Sequence, residues 1–182
     1  MIELAEWLQA TPVSVAIQSA GWAIPLLQSI HIVMIGVVFV SILMVALRVL
    51  GAMRADQPLV DVWRRFGPWM WRGLAVMTVT GALLVVGEPV REFSALSFWM
   101  KMGLLAVGVA SAAWFGRFVI AEPGVRAGEA RPAAGAAGVD EASPATKCAA
   151  VATLALWLAI IFLGRAIAYD ASVWGTLSPV GG

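Results

Sequence analysis

Long uninterrupted runs of apolar residues dominate the chain, and four of them are long enough to cross a bilayer. About 20 helical residues span the roughly 30 Å of hydrocarbon in a membrane. The runs predict transmembrane helices over about 22–50, 68–87, 98–120 and 148–169. None of them alternates apolar and polar positions over about ten residues, as barrel strands would. The pattern predicts an all-α, integral membrane four-helix bundle that forms one domain over residues 1–182.

Short amphipathic segments accompany these runs. In the N-terminal segment 1–21 we expect helices in the membrane interface, with Leu4, Trp7 and Leu8 toward lipid. Thr11-Pro12 is typical of an N-cap followed by a first-turn proline, and it predicts a helix that ends near Gly21.

Two connecting segments have different characters. Asp56-Gln57-Pro58 begins a second predicted amphipathic helix, which would rest on the membrane surface with Leu59, Trp63 and Phe66 on one side. The stretch 122–146 is rich in Ala, Gly and Pro and has no apolar period, so it predicts a flexible loop.

Composition supports a membrane protein. Hydrophobic residues make up 61% of the 182 positions and charged residues 13%, against roughly 45–50% and 25% in soluble domains. The excess of apolar residues must face lipid. The net charge of +1 and the lack of a basic stripe indicate no nucleic-acid partner. With one cysteine and one histidine, an intrachain disulfide and a Cys/His metal cage are both excluded.

Lysine and arginine gather at one end of the predicted bundle. Cytoplasmic segments retain these residues, so their distribution predicts orientation. Nine lysine and arginine residues lie near one end of the predicted bundle, and three lie near the other end. The nine are Arg48, Arg54, Arg64, Arg65, Arg72, Arg117, Arg126, Arg131 and Lys147, and the three are Arg91, Lys101 and Arg165. We therefore predict a bacterial inner-membrane protein with both termini in the periplasm and a cytoplasmic loop at 122–146.

Polar residues within the spans are predicted to lie toward the periplasmic side. His31 falls about 10 Å inside the first span, at 1.5 Å per residue, and Gln28 is one turn further out. Glu88, Lys101 and Arg165 lie near the outer ends of the other three spans. The inner half holds few polar residues, among which we count Ser41, Thr78, Thr80 and Ser111.

These residues have a structural and a functional interpretation. Lys101 and Arg165 are close enough to the interface to reach water, Glu88 could lie in water, and Arg165 could pair with Glu88. His31 could be hydrogen-bonded to a neighbouring helix. Alternatively, ionisable groups within a span mark a functional site. A neutral imidazole with cations nearby is suited to haem b or to a quinone.

The single histidine limits the haem hypothesis. Haem b in membrane bundles is usually held by two histidines on facing helices. If His31 is a metal ligand, it would be so only to haem iron. The sixth position would then fall to Met100 or Met102, to a second copy in a homodimer, or to no protein ligand. A quinone needs fewer fixed ligands.

Several short motifs resemble a family of small bacterial four-helix inner-membrane proteins. They are His31-Ile-Val-Met-Ile-Gly36, Leu47-Arg48-Val49-Leu50-Gly51, Val79-Thr80-Gly81 and Phe98-Trp99-Met100-Lys101-Met102. The resemblance covers roughly 22–120 and implies the membrane fold but no particular activity. The layout is also similar to copper-resistance D-type and cytochrome b-type membrane domains, which use several histidines where this chain has one.

Two functional hypotheses follow. In the first, the chain is an electron-transfer or membrane-anchor subunit that binds haem b or quinone at His31, Gln28, Lys101, Glu88, Arg165 and Met102. In the second, it is a structural accessory subunit that packs against other membrane subunits and holds no cofactor. A permease component is a third, weaker hypothesis. The residues contain no catalytic constellation, so we expect no catalytic activity of its own.

Overall fold

Four long apolar helices form the frame of the protein. The structure, a computed structural model, describes residues 2–54, 56–121 and 144–177, and every regular element in these ranges is helical. Four helices are long and apolar enough to cross a membrane. They are α3 (Ala23–Val49), α4 (Leu59–Gly87), α6 (Leu96–Ala121) and α7 (Pro144–Ala166). The predicted all-α four-helix bundle is confirmed.

The four long helices pack in a ring that follows their order in the chain. Helix α3 packs on α4, α4 on α6, α6 on α7, and α7 back on α3. Each helix runs opposite to the next, which is the up-and-down arrangement of a simple bundle. We call the end where α3 and α6 begin the His31 end, and the end where α3 turns into α4 the Arg48 end.

Four short helices gather at the His31 end. They are α1 (Ile2–Gln9), α2 (Pro12–Ser19), α5 (Pro89–Ser94) and α8 (Asp170–Trp174). Helix α1 packs on α5, and α2 packs on α4. Thr11 accepts a hydrogen bond from the Ser14 amide, so the predicted N-cap before Pro12 is confirmed. The orientation of Leu4 and Trp7 toward lipid stays a prediction, although both side chains are exposed.

The structure corrects the predicted surface helix after Pro58. This segment is the first part of α4, which continues through Pro68 without a break. Val62 and Trp63 are almost fully buried, and the Trp63 ring packs against Gly67 and Gly116. A proline inside a helix costs a hydrogen bond. Burial of Val62 and Trp63 offsets that cost and draws the segment into the bundle instead of leaving it on the membrane surface.

The fourth long helix begins earlier than predicted. Helix α7 starts at Pro144, so the last residues of the predicted loop 122–146 are helical. The rest of that predicted loop, 122–143, lies outside the described residues. At its other end α7 passes into a 3₁₀ turn, Ile167–Tyr169, which leads directly into α8.

Apolar side chains fill the half of the bundle toward the Arg48 end. The buried cluster draws on α3, α4 and α7 and comprises Val38, Ile42, Val45, Val62, Trp63, Met70, Leu74, Trp157 and Ile160. Phe115 of α6 closes the fourth side, with its ring edge-on to Trp63 at 5.4 Å between centroids. Ser41, which lies beside this cluster, donates to the Val37 carbonyl of its own helix. The interior of this half, around the cluster, is therefore mainly apolar.

Candidate functional site

His31 contacts the neighbouring helix through one nitrogen of its ring. Its Nδ1 lies 2.8 Å from Oγ1 of Thr80 on α4. The Thr80 hydroxyl has a single proton, which it donates to the Val76 carbonyl at 2.9 Å. With that proton on Val76, His31 Nδ1–H donates to Thr80 across the short contact, and in this tautomer Nε2 carries no proton.

The second ring nitrogen, Nε2, is left with a lone pair. Within the described part of the chain it makes no hydrogen bond, and the side chain is half-buried. The ring lies over Gly81, where an added Cβ would be 3.3 Å from Cε1 of His31. Thr80 and Gly81 together hold the imidazole in place. Fixing one ring nitrogen in this way is the arrangement by which proteins orient a histidine that binds through the other.

The position of Thr80 corrects the sequence-based assignment of depth. We expected Thr80 in the inner half of the bundle, with few polar neighbours. It lies seven residues before the end of α4 at Gly87, which is about 10 Å at 1.5 Å per residue. This matches the depth of His31, so Thr80 belongs to the candidate site.

Lys101 of α6 supplies a positive charge to the same region. Its stem packs against α7, where an added Cβ on Gly164 would lie 3.5 Å from Nζ. Electrostatic interactions join Lys101 to both His31 and Glu92. No ion pair within 4.0 Å involves Lys101 among the described residues. The ammonium therefore interacts electrostatically with His31, and no carboxylate lies within 4.0 Å of it among the described residues.

Acidic residues connect this region to the surface at the His31 end. Glu92 of α5 is 8% exposed and accepts from Arg91 at 3.2 Å. Arg91 also pairs with Glu88, with 2.6 Å between Nη2 and Oε2. Glu92 therefore interacts both with this surface pair, through Arg91, and electrostatically with Lys101.

Arg165 lies apart from the site. The proposed pairing of Arg165 with Glu88 is wrong, because Glu88 pairs with Arg91. The guanidinium of Arg165 instead donates to the Tyr169 hydroxyl at 3.3 Å and lies 5.2 Å from the centre of its ring. Both side chains are exposed on the outside of α7. Arg165 and Tyr169 fit the structural interpretation, in which a cation near the end of a span reaches toward water.

The other predicted site residues occupy separate places. Gln28 is half-buried on α3, one turn from His31 toward the end of the bundle. Met102 packs on the apolar cluster of Ala95, Phe98 and Ile167. Met100 is 40% exposed. The two methionines are the sequence neighbours of Lys101. Neither has a contact with His31 among those found in the described residues, since Met100 is exposed and Met102 packs on the apolar cluster.

Sequence reasoning missed Asp170 completely. Its carboxylate accepts hydrogen bonds from the amides of Leu96 and Ser97, at 3.1 and 2.9 Å, and from the Ser97 hydroxyl at 2.6 Å. Trp174 donates to the same hydroxyl at 2.8 Å. Asp170 therefore caps α6 from 74 residues away. An aspartate just after a span predicts contact with water, and its local sequence gives no sign of a distant helix terminus.

The larger of two crevices lies at the mouth of this end. It encloses about 620 Å³ between α2, α5 and the end of α7, and Gln18, Glu88, Arg91 and Asp170 are among its lining residues. Neither His31 nor Lys101 lines it. The crevice, which we call the vestibule, has a mixed apolar and polar lining and lies apart from His31 and Lys101.

The described residues offer haem one ligand at most. His31 Nε2 has the free lone pair that haem iron requires. Met100 is 40% exposed and Met102 packs on the apolar cluster, and no group of three His, Cys, Asp or Glu residues among the described positions could hold a metal ion. Within one chain, the site fits a small polar head group better than a two-ligand haem.

Comparison with protein-family models, with curated proteins and with solved structures finds no match for this chain. The family resemblance noted from the motifs accordingly stays a prediction.

Proposed function

We propose that the chain is a small bacterial inner-membrane subunit that binds a quinone at the His31 end, as an electron-transfer or membrane-anchor component. The observation that carries this proposal is the pairing of His31 with Thr80, which leaves Nε2 as an acceptor in a site that also interacts electrostatically with the Lys101 ammonium. A neutral acceptor and a charged donor within one apolar bundle suit a molecule that alternates between hydroxyl and carbonyl groups.

The two side chains would recognise different oxidation states of the ligand. His31 Nε2 can accept a hydrogen bond from a quinol hydroxyl, and the Lys101 ammonium can donate to a quinone carbonyl. The bound quinone would supply the redox chemistry. The residues themselves would orient its head group, exclude water from one side and hold a proton at Nε2.

Proton exchange would take place through the His31 end. The apolar cluster around Val38, Met70 and Trp157 closes the other direction. Glu92 interacts with Lys101 and with Arg91 at the surface, and it would pass protons between the site and that surface. With the predicted orientation, that exchange would be with the periplasm.

A cofactor-free accessory subunit is the second candidate. Gly36 of α3 and Gly103 of α6 are exposed, and a Cβ added to either would meet nothing within 4 Å. Glycines on an open helix face allow another membrane helix to approach closely. These faces favour packing against a further subunit or a second copy of the chain.

The decisive experiment uses protein purified in mild detergent. We expect about one quinone per chain in the lipid extract and no Soret band in the reduced-minus-oxidised spectrum. Replacing Thr80 with valine removes the acceptor for Nδ1–H and should weaken quinone retention about three- to tenfold, the usual value of one hydrogen bond. Thr78→Val is the matched control, because the Thr78 hydroxyl bonds only to Leu74 of its own helix.

Each other outcome has a definite meaning. A Soret band that disappears in His31→Ala would show that the ligand at this site is haem and not a quinone. Equal quinone content in the wild type and in both His31→Ala and Lys101→Met would show that these two residues do not form the quinone site. If the protein holds neither cofactor and co-purifies in fixed proportion with other membrane proteins, it is an accessory subunit.

A further inference from the structure

A second crevice lies on the opposite half of the molecule, between α4 and α6 near the Arg48 end. It encloses about 430 Å³. Its floor is apolar and includes the Trp63 ring with Gly67 and Gly116 on either side. Arg64 and Arg117 stand at its rim, and Trp71 lines it further along α4. We call this feature the α4/α6 groove.

The floor of the groove is shaped by one buried tryptophan. A Cβ on Gly116 would lie 2.5 Å from Cζ2 of Trp63, and a Cβ on Gly67 would lie 3.2 Å from Cε2. The two glycines therefore let the indole ring fill the space between the helices. Ala113, one turn before Gly116, keeps the groove open further into the span. The result is an apolar channel between the two helices.

The rim of the groove holds two uncompensated positive charges. Arg64 and Arg117 come from different helices, and both are exposed. No ion pair among the described residues involves either of them. Two guanidinium groups that share one rim at the edge of a low-dielectric layer repel each other, and an anion between them would relieve that repulsion.

Helix length places the rim at the level of lipid head groups. Helix α4 has 29 residues, or about 43 Å at 1.5 Å per residue, whereas the hydrocarbon layer is about 30 Å thick. The apolar run 68–87 fills that thickness by itself, so the first two turns of α4, which include Arg64, extend into the head-group layer. Arg117 lies one turn before the end of α6 at Ala121, at the same end of the bundle.

We propose that the α4/α6 groove binds one anionic phospholipid. Its phosphate lies between Arg64 and Arg117, and one acyl chain follows the floor over Trp63 toward Ala113. Trp71, which lines the groove about two turns further along α4 than Arg64, packs beside the acyl chain. Arginine suits this role because its planar guanidinium binds two phosphate oxygens at once. The site does not depend on whether the His31 end binds a quinone.

Native mass spectrometry of the delipidated full chain tests the proposal. The protein is titrated with phosphatidylglycerol and, separately, with phosphatidylcholine of the same acyl chains. We expect tighter binding of phosphatidylglycerol. The double variant Arg64→Gln/Arg117→Gln should weaken it about 30-fold, the product of two contacts between arginine and an anionic lipid. The matched control is Arg65→Gln/Arg72→Gln, which removes the same charge from residues outside the groove and should leave binding unchanged.

A second variant separates the acyl-chain channel from the charges. Ala113→Trp fills the channel and keeps both arginines, so it should weaken both lipids together. The proposal is overturned if the two lipids bind equally to the wild type, or if the control variant loses as much phosphatidylglycerol as the groove variant. Unchanged circular dichroism in each variant shows that a loss is not due to unfolding.

Discussion

Replacement of Asp170 tests how the ends of the bundle are held together. The carboxylate is 6% exposed and accepts three hydrogen bonds from the first turn of α6. A hydrogen bond to a charged group stabilises by about 1.5–3 kcal/mol. The three bonds share one carboxylate and are not additive. We expect Asp170→Ala to lower the free energy of unfolding by about 3–4 kcal/mol, and Asp170→Asn, which keeps one acceptor oxygen, by about 1–2 kcal/mol.

The measurement is unfolding in mixed micelles with an increasing fraction of sodium dodecyl sulfate, followed by circular dichroism and tryptophan fluorescence. Asp61→Ala is the control, because Asp61 is exposed in the first turn of α4 and accepts none of the side-chain hydrogen bonds found there. A loss for Asp170→Ala no greater than the loss for Asp61→Ala would refute the assignment of Asp170 as the cap of α6.

Two further predictions concern packing and orientation. Gly116→Ala should lower the free energy of unfolding by about 1–3 kcal/mol, because the new Cβ meets the Trp63 ring. Gly103→Ala, where a Cβ meets nothing within 4 Å, should not be destabilising; equal losses in the same micelle assay would contradict this packing. For orientation, the exposed positions Met53 and Ser172 are each replaced by cysteine in a Cys148→Ala background. An impermeant thiol reagent should label Ser172→Cys in intact cells and Met53→Cys only after lysis, and the reverse pattern would invert the predicted topology.

The long helices were predictable from sequence because the requirement for them is local. A run of about 20 apolar residues is helical in a membrane whatever its neighbours are. The restriction of polar residues to one end of the bundle followed from counting residues along each run. Such counting predicted that His31 lies near that end of the bundle.

Contacts between distant residues were not predictable from sequence. His31 and Thr80 are 49 residues apart, and Ser97 and Asp170 are 73 apart. Pairing across such separations depends on which helix faces turn inward, and the hydropathy of α3 is too uniform along its faces to show this. The continuation of α4 through Pro68 also depends on distant contacts. Pro68 by itself favours a helix break, but burial of Trp63 in the bundle outweighs that preference.

The apolar cluster near the Arg48 end gives the molecule an electrical asymmetry. A membrane potential falls mainly across material that holds no mobile charge or water, and here that material is the packed half around Met70 and Trp157. A proton that reaches His31 from the His31 end crosses about 10 Å of a layer about 30 Å thick. It therefore crosses at most about a third of the membrane potential, worth at most about 0.8 kcal/mol per 100 mV. The protonation of His31 would therefore depend only weakly on the membrane potential.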